Sequence, residues 1–263
     1  MSQKSRILQN LRNLLSQKDT VANRTEILHI LDESEDGFHL GYAEEHLPGI
    51  RQWIRRQNEI WEKEAHHNNP KIGLWNSQFS MKNLYKADLR NLNLPNSAFE
   101  EANLVEADLS HTNFQNSSFA DANMRNTIMY GASCERCNFS DAIMVGANLA
   151  SAHLFGSSFI RANLSRATLF DAYLLDANLF ASDFSYADLS NAYLSYTTMF
   201  GANFEAANLE EASLEGAVMV STNFYGANLN GAILVGAIYN DQTVFPEGFD
   251  PESRGMVYED ESE

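Results

Sequence analysis

Basic charge is scarce in this chain. Eighteen Lys and Arg face 35 Asp and Glu, a formal net charge of −17. A nucleic-acid binder needs a basic face to meet phosphates, so the composition argues against direct nucleic-acid binding. Cysteine is scarcer still: Cys134 and Cys137 are the only two, too few for a disulfide framework. No apolar run approaches the roughly 20 residues that span a bilayer, so no transmembrane segment is expected. The segment from Met1 to Thr20 lacks an apolar core followed by a small-residue cleavage site, so no signal peptide is expected either. Phosphate-loop and dinucleotide motifs are also missing. The expectation is a soluble, cytoplasmic protein that needs no cofactor.

What the chain has instead is a period of five. Every fifth residue from Leu74 to Tyr239 gives 34 positions in one register: 18 Leu, 9 Phe, 5 Met, Cys134 and the final Tyr. Two residues before each lies a second series. From Ser97 to Ala237 its 29 members are 20 Ala, 4 Ser, 4 Thr and Cys137. Helices repeat at 3.6 and strands at 2, so five fits neither as a continuous element. It fits short extended pieces with a corner in every unit. In each piece the small residue (position i−2) and the large one (position i) point inward together. Position i−1 is mostly Asn, Asp, Ser or Thr, whose side chains bond to nearby backbone in turns. Position i+2 often carries Gly, Asn or Asp. One such unit cannot bury its apolar side chains, but stacked units can, so the pattern predicts a solenoid.

The units beginning at Ala102, Ala107, Ala147 and Ala187 read Ala-Asn-Leu-Val-Glu, Ala-Asp-Leu-Ser-His, Ala-Asn-Leu-Ala-Ser and Ala-Asp-Leu-Ser-Asn. They resemble the A(D/N)LXX unit of pentapeptide-repeat proteins. The resemblance implies a mainly β protein, a right-handed quadrilateral β-helix with four repeats per coil. The 34 repeats then make about eight and a half coils, or roughly 40 Å of rod at ~4.8 Å per coil. Ile72, Lys82 and Leu92 occupy the small position in the first repeats, and a charged Lys82 cannot sit unpaired inside. The opening coil is therefore expected to be irregular.

The flanks differ from the repeat, giving three expected segments: 1–70, 71–240 and 241–263. In the first, Ile7, Leu8, Leu11, Leu14 and Leu15 make one apolar stripe on a helix. This basic amphipathic helix lacks Trp or Phe anchors for a membrane surface, so packing on neighbouring helices is the preferred reading. A second helix is expected over 22–31 and a third over 48–66, with Ile50, Trp53, Ile54, Ile60 and Trp61 on one face. The region reads as a small helical domain that covers the first coil. The last segment breaks the register and offers Val244, Phe245 and Phe249 to cover the final coil, because an open solenoid end exposes strand edges and core. It resembles the tail that commonly closes pentapeptide-repeat proteins of photosynthetic bacteria. The acids from Glu259 to Glu263 read as a solvated tail.

Catalytic chemistry finds little support. Cys134 and Cys137 form a Cys-x-x-Cys, but zinc needs four ligands and there is no second pair. Both fall on the inward series and read as buried structural thiols. His66 and His67 are adjacent, so on a helix they diverge by about 100° and do not make a metal pair. The Asp at i−1 (Asp88, Asp108, Asp183, Asp188) belong to the repeat. No enzyme is expected.

With four repeats per coil, residues 20 apart stack. Reading the exposed positions this way brings together Phe155, Ile160, Tyr173, Leu175, Phe180, Tyr193, Tyr196 and Phe200, with His153 nearby and Phe170 on a neighbouring face. An apolar patch of this extent marks a binding surface, for another protein or a second copy of the chain. Glu205, Glu210, Glu211 and Glu215 share one coil, and Glu100, Glu101 and Glu106 cluster near the other end. Some pentapeptide-repeat proteins imitate DNA and bind type II topoisomerases, so a DNA-mimicking gyrase inhibitor is the alternative to a non-catalytic scaffold or regulatory or assembly factor. The apolar central columns weigh against it.

Overall fold

The structure, a computed structural model, describes residues 77–260. The helices expected in 1–70 and the first repeat at Leu74 lie outside the described residues, as do Glu261 and Glu263 of the acidic tail.

Each repeat contributes one bridge residue, at i−1, and each pairs in parallel with the residue 20 further on: Asn83 with Asn103, Asp88 with Asp108, Asn93 with Asn113, Ala98 with Ser118. A spacing of 20 at five residues per repeat gives four repeats per coil and four sides. We number these by their bridge rows. The first side runs through Ser158, Asn178 and Thr198, and the second through Asn163, Asp183 and Asn203. The third carries Thr168, Asp188 and Asn208, and the fourth His153, Tyr173 and Tyr193.

The backbone donors explain why the unit has five residues and why it favours Asn or Asp. The repeat centred on Leu109 shows the scheme. Leu109 N–H donates to Ile128 O at 2.7 Å and His111 N–H to Tyr130 O at 2.9 Å, both one coil onward. Asp108 N–H donates back to Ala87 O at 2.9 Å, and Thr112 N–H closes the turn on Leu109 O at 3.3 Å. The fifth donor, Ser110 N–H, bonds to Asp108 Oδ1 at 3.0 Å. Buried or strand-bound backbone groups need partners, and a carboxylate or amide at i−1 supplies the one the coil cannot. Asn side chains do more: Asn103 Nδ2 donates to Asn83 Oδ1 at 2.9 Å and Asn223 Nδ2 to Asn203 Oδ1 at 3.0 Å, a ladder from coil to coil.

The corner residue at i+2 has positive φ at every position from Met81 to Gly236, glycine or not. The left-handed region is costly for a residue with a Cβ, so each non-glycine corner carries some strain.

Inside, the two apolar series fill the section. Residues at i such as Leu104, Phe159 and Leu189 and residues at i−2 such as Ala102, Ala162 and Ala187 are buried. Phe79, Phe99, Phe119, Phe139 and Phe159 stack ring on ring, with centroids 4.8–5.1 Å apart. The stack then changes side: Phe159 meets Phe184 edge-on at 6.4 Å, and Phe184, Phe204 and Phe224 continue at 5.0 and 5.3 Å. Where Ser or Thr replaces Ala, its hydroxyl is paired: Ser157 Oγ donates to Cys134 O at 2.6 Å and Thr127 Oγ1 to Leu104 O at 2.8 Å.

One expectation fails. From Ser77 onward the opening coil keeps the register, with the Asn83–Asn103 bridge intact and Lys82 N–H closing its turn on Phe79 O. The reason is that the Lys82 backbone keeps the bonds of the repeat, donating to Phe79 O and accepting from Asn103 N–H, while Leu92 N–H is served by Thr112 Oγ1 instead. Lys82 is only half-buried, whereas Leu92 is buried.

At the C-terminal end, strand β1 (Ile238–Tyr239) pairs in parallel with strand β2 (Val257–Tyr258). Between them lies a single 3-10 turn over Glu252–Arg254. Val244 pairs with Asn223, a spacing of 21, so one extra residue has entered the coil. The turn that absorbs it is bonded by Asn240 Oδ1, which accepts from Ser221 N–H at 3.0 Å. The slip carries Phe245 over Phe224 at 6.1 Å, and Phe249 stacks on Phe245 at 4.9 Å. Val244 itself is 45% exposed and serves as a strand residue rather than a cover.

Candidate interaction surface

The fourth side departs from the repeat chemistry. Its bridge positions hold His153, Tyr173 and Tyr193 in three successive coils where the other sides carry Asn, Asp, Ser or Thr, although Ala98, Ile128, Ile143 and Val218 show that apolar bridge residues occur elsewhere. Their rings stack outside the solenoid, at 5.0 Å between His153 and Tyr173 and 4.8 Å between Tyr173 and Tyr193, the latter pair within 5° of parallel. Tyr173 and Tyr193 are each about 40% exposed. None of these rings accepts the i+1 N–H as Asn178 Oδ1 accepts Phe180 N–H at 3.0 Å on the first side. The aromatic row thus lacks a bond that repeats with Asn or Asp at i−1 make.

Around this row the corners add apolar surface. Phe155 is exposed and Leu175 half-buried, on the corner leading from the fourth side to the first. Tyr196, 61% exposed, occupies the left-handed position of that corner at φ +61°. Its ring lies across the corner one coil on: a Cβ on Gly216 would stand 2.7 Å from Tyr196 Cε1. Glycine there is what lets the ring lie flat. Phe170 is exposed on the corner entering the fourth side, so it belongs with Tyr173.

Ile160, Phe180 and Phe200 sit one corner further, where the first side turns into the second. Phe180 and Phe200 stack at 5.6 Å, and Ile160 is half-buried. The polar row Ser158, Asn178 and Thr198 runs between this strip and the fourth side. The eight residues singled out in the sequence therefore fall into two strips flanking the first side. Sequence reading missed the exposed Tyr130, Tyr186 and Tyr225. Tyr186 lies 5.9 Å from the Arg166 guanidinium. A Tyr at a corner position, 20 residues after an Arg, was the available signal.

Charged groups are dispersed and in part neutralised. Arg161 makes two bonds to the Asp141 carboxylate, at 2.8 and 2.6 Å, and this holds the Asp141 carboxyl below its ordinary pKa. Lys86 pairs with Glu106 at 3.2 Å. Glu135, at the head of the column that continues with Phe155 and Leu175, has its Oε2 enclosed without a hydrogen-bond partner. Cys134 and Cys137 are free thiols in the core, as their register predicts. Burial pushes the Cys134 thiol well above its usual pKa, with Cys137 adding to the effect, so it is not a ready nucleophile. Among the described residues no helix is long and apolar enough to cross a membrane.

A β-solenoid of five-residue units is the class this geometry defines. The pentapeptide repeats family matches in eight copies over residues 83–119, 117–156, 132–169, 172–199 and 199–236, and the chain belongs to that family. A comparison with curated proteins finds no match. Among solved structures the chain is similar to HetL, a pentapeptide repeat protein involved in heterocyst differentiation regulation from the cyanobacterium Nostoc sp. strain PCC 7120. The two are 24% identical over 72% of this chain and 96% of that one, with a TM-score of 0.45. It is also similar to alr5209, a pentapeptide repeat protein from Nostoc PCC 7120: 35% identity, 44% of this chain and 84% of that one, TM-score 0.22. A third similarity is to full-length QnrB1, a plasmid-mediated fluoroquinolone resistance protein: 17% identity, 69% and 91% coverage, TM-score 0.37.

Proposed function

We propose that this chain is a non-catalytic interaction scaffold, a regulatory or assembly factor that docks another protein or a second copy of itself. The docking surface is the pair of apolar strips formed by Phe155, Ile160, Tyr173, Leu175, Phe180, Tyr193, Tyr196 and Phe200. The observation that carries this reading is the outer aromatic row. Tyr173 and Tyr193 stack at 4.8 Å in positions where the repeat is served better by Asn or Asp. Stacking along the row stabilises the coils, and the ring surface left exposed suits an interface, since half-exposed Tyr is a common anchor of protein–protein contacts. We read the coil as right-handed, with about eight coils as the family resemblance implies, and residues 1–70 as a helical module covering its first coil.

The acids support the scaffold over DNA mimicry. Glu100 on one corner column is followed by Ala120, Ser140, Ile160, Phe180 and Phe200 rather than by further acids, and Asp141 is paired with Arg161. Two experiments separate the readings. Paired Phe180→Ser and Phe200→Ser, and separately Tyr173→Ser and Tyr193→Ser, are expected to abolish recovery of the wild-type partner, or of the dimer by light scattering. Unchanged recovery removes the surface. In a gyrase supercoiling assay the scaffold reading expects no inhibition, and potent inhibition overturns it.

A further inference from the structure

The C-terminal end of the solenoid is covered on two sides only. Val244 continues the second side and Val257 the first. On the third and fourth sides no bridge residue pairs onto the last coil among the described residues. In the preceding coil, Leu209, Glu211 and Leu214 donate their N–H groups onward to Asn228, Asn230 and Ile233, and the carbonyls of Ala207 and Ala212 accept from Asn228 and Ile233. Their counterparts, the N–H groups of Leu229, Gly231 and Leu234 and the carbonyls of Ala227 and Ala232, have no such partner among the described residues. The core opens here too: Ala227, Leu229 and Ala232 are 5–6% exposed, against 0–1% for Ala207, Leu209 and Ala212 one coil before.

This edge is one wall of a cleft of about 390 Å³. Ala227, Asn228, Leu229 and Asn230 form that wall, and the segment from Pro246 to Asp250 with Ser253 and Arg254 forms the other. Carboxylates dominate its charge. Glu247 and Asp250 line it, and Glu210 accepts from Nδ2 of the lining Asn228 at 3.3 Å. The one lining cation, Arg254, lies over the Phe249 ring of the same cleft, 5.6 Å from the centroid, and so offsets one of the two lining carboxylates.

We propose that this open edge docks an extended, Lys- or Arg-bearing peptide segment of another protein, which adds one more parallel strand over Ala227–Leu229. Its backbone accepts from Leu229 N–H and donates to Ala227 O, repeating the bonds of every coil below. Strand addition of this kind takes affinity from main-chain bonds and selectivity from side chains. Selectivity here comes from Glu247 and Asp250, which take the basic side chain. The inference is independent of the aromatic strips.

The test uses the full chain and a labelled, end-blocked peptide, Lys-Val-Arg-Val-Lys, read by fluorescence anisotropy and amide hydrogen exchange. Binding in the range below about 1 mM is expected, with exchange slowed at Leu229 and unchanged at Leu209. Methylating the central peptide nitrogen is expected to weaken binding about tenfold, and Glu247→Gln with Asp250→Asn about fivefold. A Glu-Val-Glu-Val-Glu peptide is expected not to bind. No slowing at Leu229, equal binding of the methylated or acidic peptide, or no effect of the double substitution each overturns the proposal. Slowed exchange at Leu229 in a self-associated form without peptide assigns the edge to a second copy and also overturns it.

Discussion

The corner residue offers a sharp test of how this backbone stores strain. Ala206 has φ +53°, and Gly226, one coil above on the same corner column, has φ +67°. Both are exposed, so little packing is at stake. A Cβ in the left-handed region costs roughly 1–2 kcal/mol, while glycine's extra freedom in the unfolded chain costs roughly 0.5–1 kcal/mol. The difference predicts that Ala206→Gly stabilises the protein by about 0.5–1 kcal/mol. Gly226→Ala is expected to lose about the same, because no atom lies within 4 Å of the added Cβ and only the conformational term acts. Gly216→Ala is the steric control: it must also move the Tyr196 ring, 2.7 Å from the new Cβ, and is expected to lose more than Gly226→Ala. Urea unfolding of the three variants gives the comparison through shifts in midpoint at unchanged slope. Ala206→Gly destabilising the protein, as glycine does within an ordinary strand, refutes the account of the corner.

Three further outcomes follow from the core, the end and one ion pair. Phe184→Ala, which interrupts the ring stack at its change of side, is expected to cost about 3–5 kcal/mol, and Ala187→Leu about 1–3 kcal/mol by overpacking; chemical unfolding checks both, and a neutral Ala187→Leu contradicts the tight section. Deleting the residues after Asn240 removes Phe245 and Phe249 from the last coil and is expected to cause association, seen as added mass in light scattering; a truncated chain as monodisperse as the intact one counts against a capping role. The Arg161 bonds lower the Asp141 pKa. Their stabilisation is thus present above the unfolded Asp value of about 3.9 and lost as pH falls through the lowered folded value. Arg161→Gln is expected to move the Asp141 titration, followed by NMR, back up, and no movement removes the pair from the solution structure.

The sequence by itself determined the section of the solenoid. A five-residue period with a small and a large apolar position forces inward pairs, and the burial of Ala162, Phe159 and both cysteines follows from register alone. It also placed Asn and Asp at i−1 in a turn role, because their side chains can bond to backbone two residues on. Tertiary structure decided what depends on neighbours 20 residues away. That the i+2 position is left-handed even at Tyr186, Tyr196 and Ala206 is set by stacking between coils, since local preference opposes it. Lys82 leaves its coil regular because the coil's bonds belong to the backbone. The position of Phe170 beside Tyr173, and of a polar row between the two apolar strips, depends on how corners and sides alternate around the section. The open edge at Leu229 was hidden most completely. It arises because the chain leaves the bridge pattern after Val244, which covers the second side, and returns only at Val257, which covers the first. No local pattern at Leu229 records that its next coil is missing.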